Sequence, residues 1–326
     1  MLANSRCLKG RYISFCLGCI AVIGILNALF SKIAEWVPTF SSHLFPTLTI
    51  FLLVFDLFIA CFMAMKYWCD RKRLYLVSLA FAFAGSASLM VGTLCSFPAW
   101  LDLYQFNAVN YNDAMIFYMF RHLLMAVLII VSAILYTTRN CPLSRLAHIA
   151  IVSGEFLFTV FAVGLAWMYS SHSSFLSIDL VDNETRESMV LWSHFINIAL
   201  IALWVVTLAT LMFITRIRNL FWVGGNFLCV CYIVTLSMLL VGGHVEDVSW
   251  YRARLFETVA TLMIIFVLLY DVFRLYRDSH VKYQQSYQNS IRDPLTRLYN
   301  RSYFYETLKQ DRKSTRLNSS HANVSR

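Results

Sequence analysis

Charge is scarce in this 326-residue sequence: Asp, Glu, Lys and Arg together make up 14%, against roughly 25% in ordinary soluble domains. That scarcity excludes a chain that keeps most of its surface in water, and the 59% apolar share makes the bilayer its main solvent. Proline is scarcer still. The five prolines (Pro38, Pro46, Pro98, Pro142 and Pro294) fall in loops, near helix starts or beyond the last long apolar run, where a missing N–H does least harm. A concentrated basic patch is also lacking. The formal net charge of +9 is spread along loop edges, which excludes a nucleic-acid partner. No internal repeat is visible, and no pair of Gly/Pro-broken helices of the kind that mark many transporter sites; Gly224-Gly225 is a lone exception. Both absences weigh against a small-solute transporter, which stays as the less favoured alternative.

What the sequence does contain is apolar runs of membrane-spanning length. A spanning helix needs about 20 predominantly apolar residues. Eight such stretches are read, at approximately 12–31, 44–66, 74–95, 114–136, 146–169, 189–214, 219–241 and 251–273. The expected fold is therefore an all-α polytopic membrane protein. The first stretch follows Arg6, Lys9 and Arg11 but has no small-residue cleavage site after it, so it reads as a retained anchor. In the third, Ala80, Ala82, Ala84, Gly85, Ser86, Ala87 and Ser88 suggest close helix packing. Nine cysteines sit mostly inside helices or at their cytoplasmic ends, and the Cys16-x-x-Cys19 pair reads as packing, with no metal assigned.

Loop charges predict orientation, because Lys and Arg resist translocation. Arg6, Lys9 and Arg11; Lys66, Arg71, Lys72 and Arg73; Arg139 and Arg145; and Arg216 and Arg218 occupy alternate polar segments. The intervening loops hold Lys32 and Arg186 alone, and most of the loop acids: Asp102, Asp113, Asp179, Asp182, Glu184, Glu187, Glu246 and Asp247. Both termini are thus expected in the cytoplasm.

Ionisable residues at membrane depth are costly and are functional candidates by default. Asp56, Arg121, His122, Glu155, His194 and Glu257 are the intramembrane sensing or structural candidates, while Arg252 and Arg254 read as snorkelling to the surface. Counted inward at about 1.5 Å per residue, Asp56, Arg121 and Glu257 fall within roughly one and a half turns of each other. Arg121 is therefore expected to pair with Asp56 or Glu257.

After Phe273 the apolar run stops, and residues 274–292 contain neither Gly nor Pro, so the eighth helix can extend into water. Leu269, Phe273, Tyr276, His280, Tyr283 and Tyr287 recur at alternating spacings of four and three, the seam of a short coiled coil. That seam predicts a homodimer paired through 269–291.

The next segment is Asp293-Pro-Leu-Thr-Arg-Leu-Tyr-Asn-Arg-Ser-Tyr-Phe304. It resembles the opening signature of GGDEF (diguanylate cyclase) domains, commonly written D-x-L-T-G-L-x-N-R-R-x-F. Asp293, Leu295, Thr296, Leu298, Asn300, Arg301 and Phe304 match; Arg297 stands where the family usually has Gly, and Ser302 where it often has Arg. Asp293 as N-cap and Pro294 at the first helical position would suit a helix starting there. More loosely, the membrane part resembles the MASE-type membrane-associated sensor domains that precede GGDEF domains. The resemblance rests on Asp56, the Asp70-Arg-Lys-Arg73 turn, Asn112-Asp-Ala-Met-Ile-Phe-Tyr-Met-Phe-Arg121 and Trp250-Tyr-Arg-Ala-Arg-Leu-Phe-Glu257.

The resemblance implies a bacterial inner-membrane protein with a membrane sensor over 1–273, a signalling helix over 274–292 and the N-terminal fragment of a GGDEF domain over 293–310. An intact parent would condense two GTP into cyclic di-GMP and two pyrophosphates, with Mg²⁺ held by carboxylates of the remainder of the domain. A parent whose GGDEF domain is degenerate, binding without turnover, is the alternative. No catalytic residue is assigned in this chain, no cofactor is expected in it, and the chain alone is expected to be inactive. Residues 311–326 are set apart, because Asp311-Arg-Lys-Ser-Thr-Arg-Leu-Asn-Ser-Ser-His321 reads codon for codon as a DNA sequencing adapter.

Overall fold

The computed structural model describes residues 2–36, 43–97, 109–139, 141, 143–242, 248–293 and 296–322, the side chains of 2–9, 34–36 and 313–322 apart. Pro38, Pro98, Asp102, Pro142, Glu246, Asp247, Pro294 and Leu295, with the side chains of Arg6, Cys7 and Lys9, lie outside the described residues. The chain divides into two compact units, 1–267 and 268–326.

Helices dominate the first unit: α1 (Leu2–Trp36), α2 (Leu44–Cys69), α3 (Tyr75–Cys95), α4 (Tyr111–Thr137), α5 (Arg145–Tyr169), α6 (Asn197–Thr215), α7 (Leu220–Gly242) and the start of α8 (Val248–Ile291). A π-helical turn, Leu191–Ile196, leads into α6. Eight described helical spans are long and apolar enough to cross a membrane, beginning at Gly10, Leu44, Tyr75, Tyr111, Arg145, Leu191, Leu220 and Val248, and each span begins within three residues of its predicted start. This is an all-α, multi-pass membrane architecture. Gly224 and Gly225 do not break α7, which runs through both.

α3 and α4 form the centre, with 72% of each apolar window buried, whereas α1 is peripheral at 11%. Small residues in α3 make this packing possible. A Cβ on Gly85 would meet Leu124 Cδ2 at 2.3 Å and Thr159 Cγ2 at 2.8 Å, and one on Gly92 would meet the Phe117 ring at 2.4 Å. At both positions a methyl group would force a neighbouring side chain to move, so glycine allows the close approach seen here.

The α5–α6 connection is clamped to the start of α4. Asn110 caps α4 by accepting from the Asp113 amide at 3.0 Å. Asn112 donates to Ile178 O at 2.8 Å and accepts from the amides of Leu180 (2.7 Å) and Val181 (3.2 Å). Buried Asp113 accepts from the Ser171 amide at 2.9 Å and its hydroxyl at 2.5 Å. A Val181–Ser188 bridge closes the loop on itself.

The second unit holds the end of α8, a turn, and α9 (Arg301–Ala322), which runs across Gln310. Pro294, where a helix start was expected, lies outside the described residues, and the described helix begins at Arg301. Residues 296–300 form a turn closed by an Arg292–Tyr299 bridge. Asp293 does accept from the Thr296 amide, at 2.9 Å, but it caps that turn. Asn300 is the helix cap, accepting from the Tyr303 amide at 2.9 Å while its own amide group donates to Ser290 O at 2.6 Å. Arg297 adopts φ 55°, the left-handed region where glycine is favoured. The GGDEF signature that this segment resembles usually has Gly at this place.

Candidate functional site

Midway along the first unit, α2, α4, α6, α7 and α8 converge on a buried cluster of charged and aromatic side chains. Arg121 lies ten residues into α4, Glu257 nine into α8 and Asp56 twelve into α2, about 14–18 Å from the helix starts at 1.5 Å per residue. That depth is close to the middle of a hydrocarbon core about 30 Å thick.

Arg121 donates from Nη2 to Glu257 Oε2 at 2.6 Å, with both side chains at most 2% exposed. Arg254, one turn before Glu257 on α8, donates from Nη1 to the same oxygen at 3.0 Å. Glu257 Oε1 faces His122 Nε2 at 3.2 Å. The other ring nitrogen, His122 Nδ1, lies 3.1 Å from Trp204 Nε1. An indole N–H can only donate, so Nδ1 accepts from it and the imidazole proton is assigned to Nε2, facing the carboxylate; Arg121 Nη2, also 3.2 Å from Nε2, then touches the ring without a hydrogen bond. His122 is therefore held as the neutral tautomer that couples α6 to α8 through α4.

Aromatic faces cover the guanidiniums. Arg121 lies over Tyr118 (5.3 Å) and Tyr232 (5.8 Å), and Arg254 over Phe45 (4.6 Å) and Tyr118 (5.7 Å). These contacts offset part of the cost of removing charge from water.

Asp56 stands beside this cluster. Its Oδ2 accepts from Ser86 of α3 at 2.6 Å, and it interacts electrostatically with Arg121, Arg254 and Glu257. Among the described residues, neither Asp56 Oδ1 nor Arg121 Nη1 makes a hydrogen bond, although both are buried. Two guanidiniums face one directly bonded carboxylate, with the Asp56 carboxyl group beside them.

Of the remaining candidates, Glu155 is buried on α5, bonded to Ser78 of α3 and apart from the cluster. His194 lies on the π turn, exposed, against Ser193 at 2.9 Å. The snorkelling expected of Arg254 is corrected: it is 3% exposed and bonded to Glu257. Arg252 sits over the Phe30 ring at 5.0 Å. Ser86 and Tyr118 also belong to the site, though the sequence marked them only as part of a packing stripe and of a resemblance segment, and Trp204 and Tyr232 join them without having been singled out. Among the described residues no group of three or more His, Cys, Asp or Glu side chains could hold a metal ion.

The two longest segments that carry the resemblance to MASE-type sensor domains thus meet in space. Asn112 and Asp113 clamp a loop at one end of α4 while Tyr118, Arg121 and His122 enter the cluster from its middle. Trp250 packs on Phe45 (4.6 Å) and Tyr111 (5.9 Å) as α8 begins, and Arg254 and Glu257 follow. A family model described as a membrane-associated sensor, integral membrane domain (MASE4), matches residues 39–276. The chain belongs to the MASE4 family. Both segments and all of the cluster fall inside the MASE4 match, whereas α1 precedes it. The chain is also similar to the probable diguanylate cyclase DgcT of Escherichia coli (strain K12), 23% identical over 287 residues, covering 87% of this chain and 61% of the relative. It therefore spans about 61% of that relative's length. No solved structure matches the chain. As a MASE4 domain, the first unit is a sensor and anchor region in the membrane.

Proposed function

We propose that this chain is the membrane-sensing part of a diguanylate cyclase of the bacterial inner membrane, with both termini in the cytoplasm, and that the parent protein condenses two GTP into cyclic di-GMP. The observation that carries the reading is the MASE4 match over 39–276, in a chain whose relative is named a probable diguanylate cyclase. The Asp293–Phe304 segment supports it as the opening of a GGDEF domain, although no GG[DE]EF segment occurs in the 326 residues. GTP and Mg²⁺ belong to the catalytic domain of the parent; the residues described here offer no cluster to hold the metal.

Control is proposed to pass through α8. The same helix carries Arg254 and Glu257 in the cluster and, further along, Leu269, Phe273, Tyr276, Tyr283 and Tyr287, which are 46–70% exposed. That exposed stripe supports pairing with a second copy, and two paired chains would bring two GTP-holding domains together. Arg121 has two carboxylates within its electrostatic reach, Glu257 on α8 and Asp56 on α2. Each arrangement leaves one buried group short of a partner, at roughly 1–3 kcal/mol. Exchange of Arg121 between them is a two-state element of the kind a stimulus can bias.

The test is production of cyclic di-GMP from GTP and Mg²⁺ by membranes holding the full-length parent. Turnover supports the reading. GTP binding without product would replace it with a regulator whose GGDEF domain is degenerate, and neither binding nor turnover would overturn it.

A further inference from the structure

A second feature of the first unit has no place in the cluster. Between α1, α7 and α8 lies a groove of about 530 Å³ whose walls are mainly apolar. Its floor is opened by glycine: a Cβ on Gly18 would meet nothing within 4 Å, and one on Gly224 only Val267 and Ile264, at 3.6 Å or more. At one end stand Arg11, at the start of the α1 span, and Arg218, in the α6–α7 turn. Among the described residues neither arginine forms an ion pair.

The turn that presents Arg218 is unusual. Arg216 and Ile217 both adopt φ 49°, and a β-branched residue in that region is an outlier. Ile217 is nonetheless buried and lines the groove, and Arg218 follows it at the rim. The first amides of α7 begin beside it at Leu220, a position that favours an anion.

The dimensions suit one class of occupant. From Arg11 to Val22 the α1 wall runs eleven residues, about 16 Å at 1.5 Å per residue, which is roughly half of a hydrocarbon core about 30 Å thick. A cationic rim followed by one leaflet's depth of apolar wall matches an acidic headgroup with its acyl chain. We infer that this groove binds an anionic phospholipid, its phosphate between Arg11 and Arg218 and one acyl chain along Gly18 and Gly224. Because α1 precedes the MASE4 match, the lipid bridges an added helix to the sensor domain.

The experiment is native mass spectrometry of the full chain released from detergent, titrated separately with phosphatidylglycerol, phosphatidylcholine and glycerol 3-phosphate. The expected result is one phosphatidylglycerol retained about thirty-fold more tightly than phosphatidylcholine, the share expected of two arginines near an acidic headgroup. Arg11→Gln with Arg218→Gln should abolish that preference while leaving weak retention of either lipid. Gly18→Leu, which fills open space and raises helix propensity, should reduce retention of both without lowering the melting temperature. Equal retention of the two lipids by the unaltered chain, tight binding of glycerol 3-phosphate alone, or a Gly18→Leu variant that changes oligomeric state in place of lipid retention would overturn the inference.

Discussion

Arg121 and Glu257 stand 136 positions apart in the chain yet meet 2.6 Å apart at the middle of the bundle, each at most 2% exposed. Neither charge could occupy that depth alone. The desolvation cost of each is several kcal/mol, and the second guanidinium of Arg254 on the same oxygen raises the demand on Glu257.

Glu257→Gln is accordingly expected to destabilise the bundle by about 3–5 kcal/mol, since it removes the one carboxylate that both buried guanidiniums bond directly. Combining it with Arg121→Met should recover part of that loss. A double-mutant cycle on thermal or denaturant unfolding in detergent reads the coupling, and an additive outcome would show that the two residues do not act as a pair.

The Trp204–His122 bond fixes a tautomer. Nitrogen-15 spectra of histidine-labelled protein near neutral pH should show His122 protonated at Nε2 and bare at Nδ1. Trp204→Phe should release that restriction at a cost of about 1–3 kcal/mol. A proton found on Nδ1 in the unaltered protein would contradict the geometry.

Two glycines of the bundle should respond oppositely to the same change. Gly92→Ala places a methyl group 2.4 Å from the Phe117 ring and should cost about 1–3 kcal/mol through overpacking. Gly164→Ala on α5 meets nothing within 4 Å and should be neutral or stabilise by up to about 1 kcal/mol. Melting temperatures of the two variants decide it.

Much of this was legible before the structure. Apolar runs longer than 18 residues have one physical outcome in a bilayer, so the spans could be read directly, and depth counting along α2, α4 and α8 brought Asp56, Arg121 and Glu257 to one level. Rotation about each helix axis was not legible, because a helix apolar on every side has no periodic signal. Trp204 and Tyr232 are therefore invisible among their apolar neighbours, and Arg254 could not be told from a snorkelling residue until its face was known. In the second unit, Asp293 and Asn300 are equally good caps by residue type. The turn between them, with Arg297 at φ 55°, decides for Asn300.

That turn carries its own test. Arg297→Gly removes a left-handed non-glycine residue worth ~1 kcal/mol of strain, so amide exchange across Thr296–Asn300 should slow several-fold. Unchanged or faster exchange would place the turn's conformation elsewhere.

Asp182, in the α5–α6 loop, offers a pH-dependent counterpart. The Glu184 amide and the Thr185 hydroxyl both donate to its carboxylate and hold it below the usual carboxylate range. A depressed folded value means that its contribution is present above the unfolded value near 4 and is lost as pH falls through the folded one. The Glu184 amide, corrected for intrinsic rate, should lose protection in that acidic window, and Asp182→Asn should flatten the dependence.

The most direct test of the sensing mechanism is cyclic di-GMP output from full-length parent carrying Glu257→Gln or Asp56→Asn, at matched membrane levels. Each variant leaves Arg121 one carboxylate, on α2 in the first and on α8 in the second. The expected result is a several-fold change in output of opposite sign in the two variants. Output that is unaltered in both, or shifted equally in one direction, would contradict control through the exchange of Arg121.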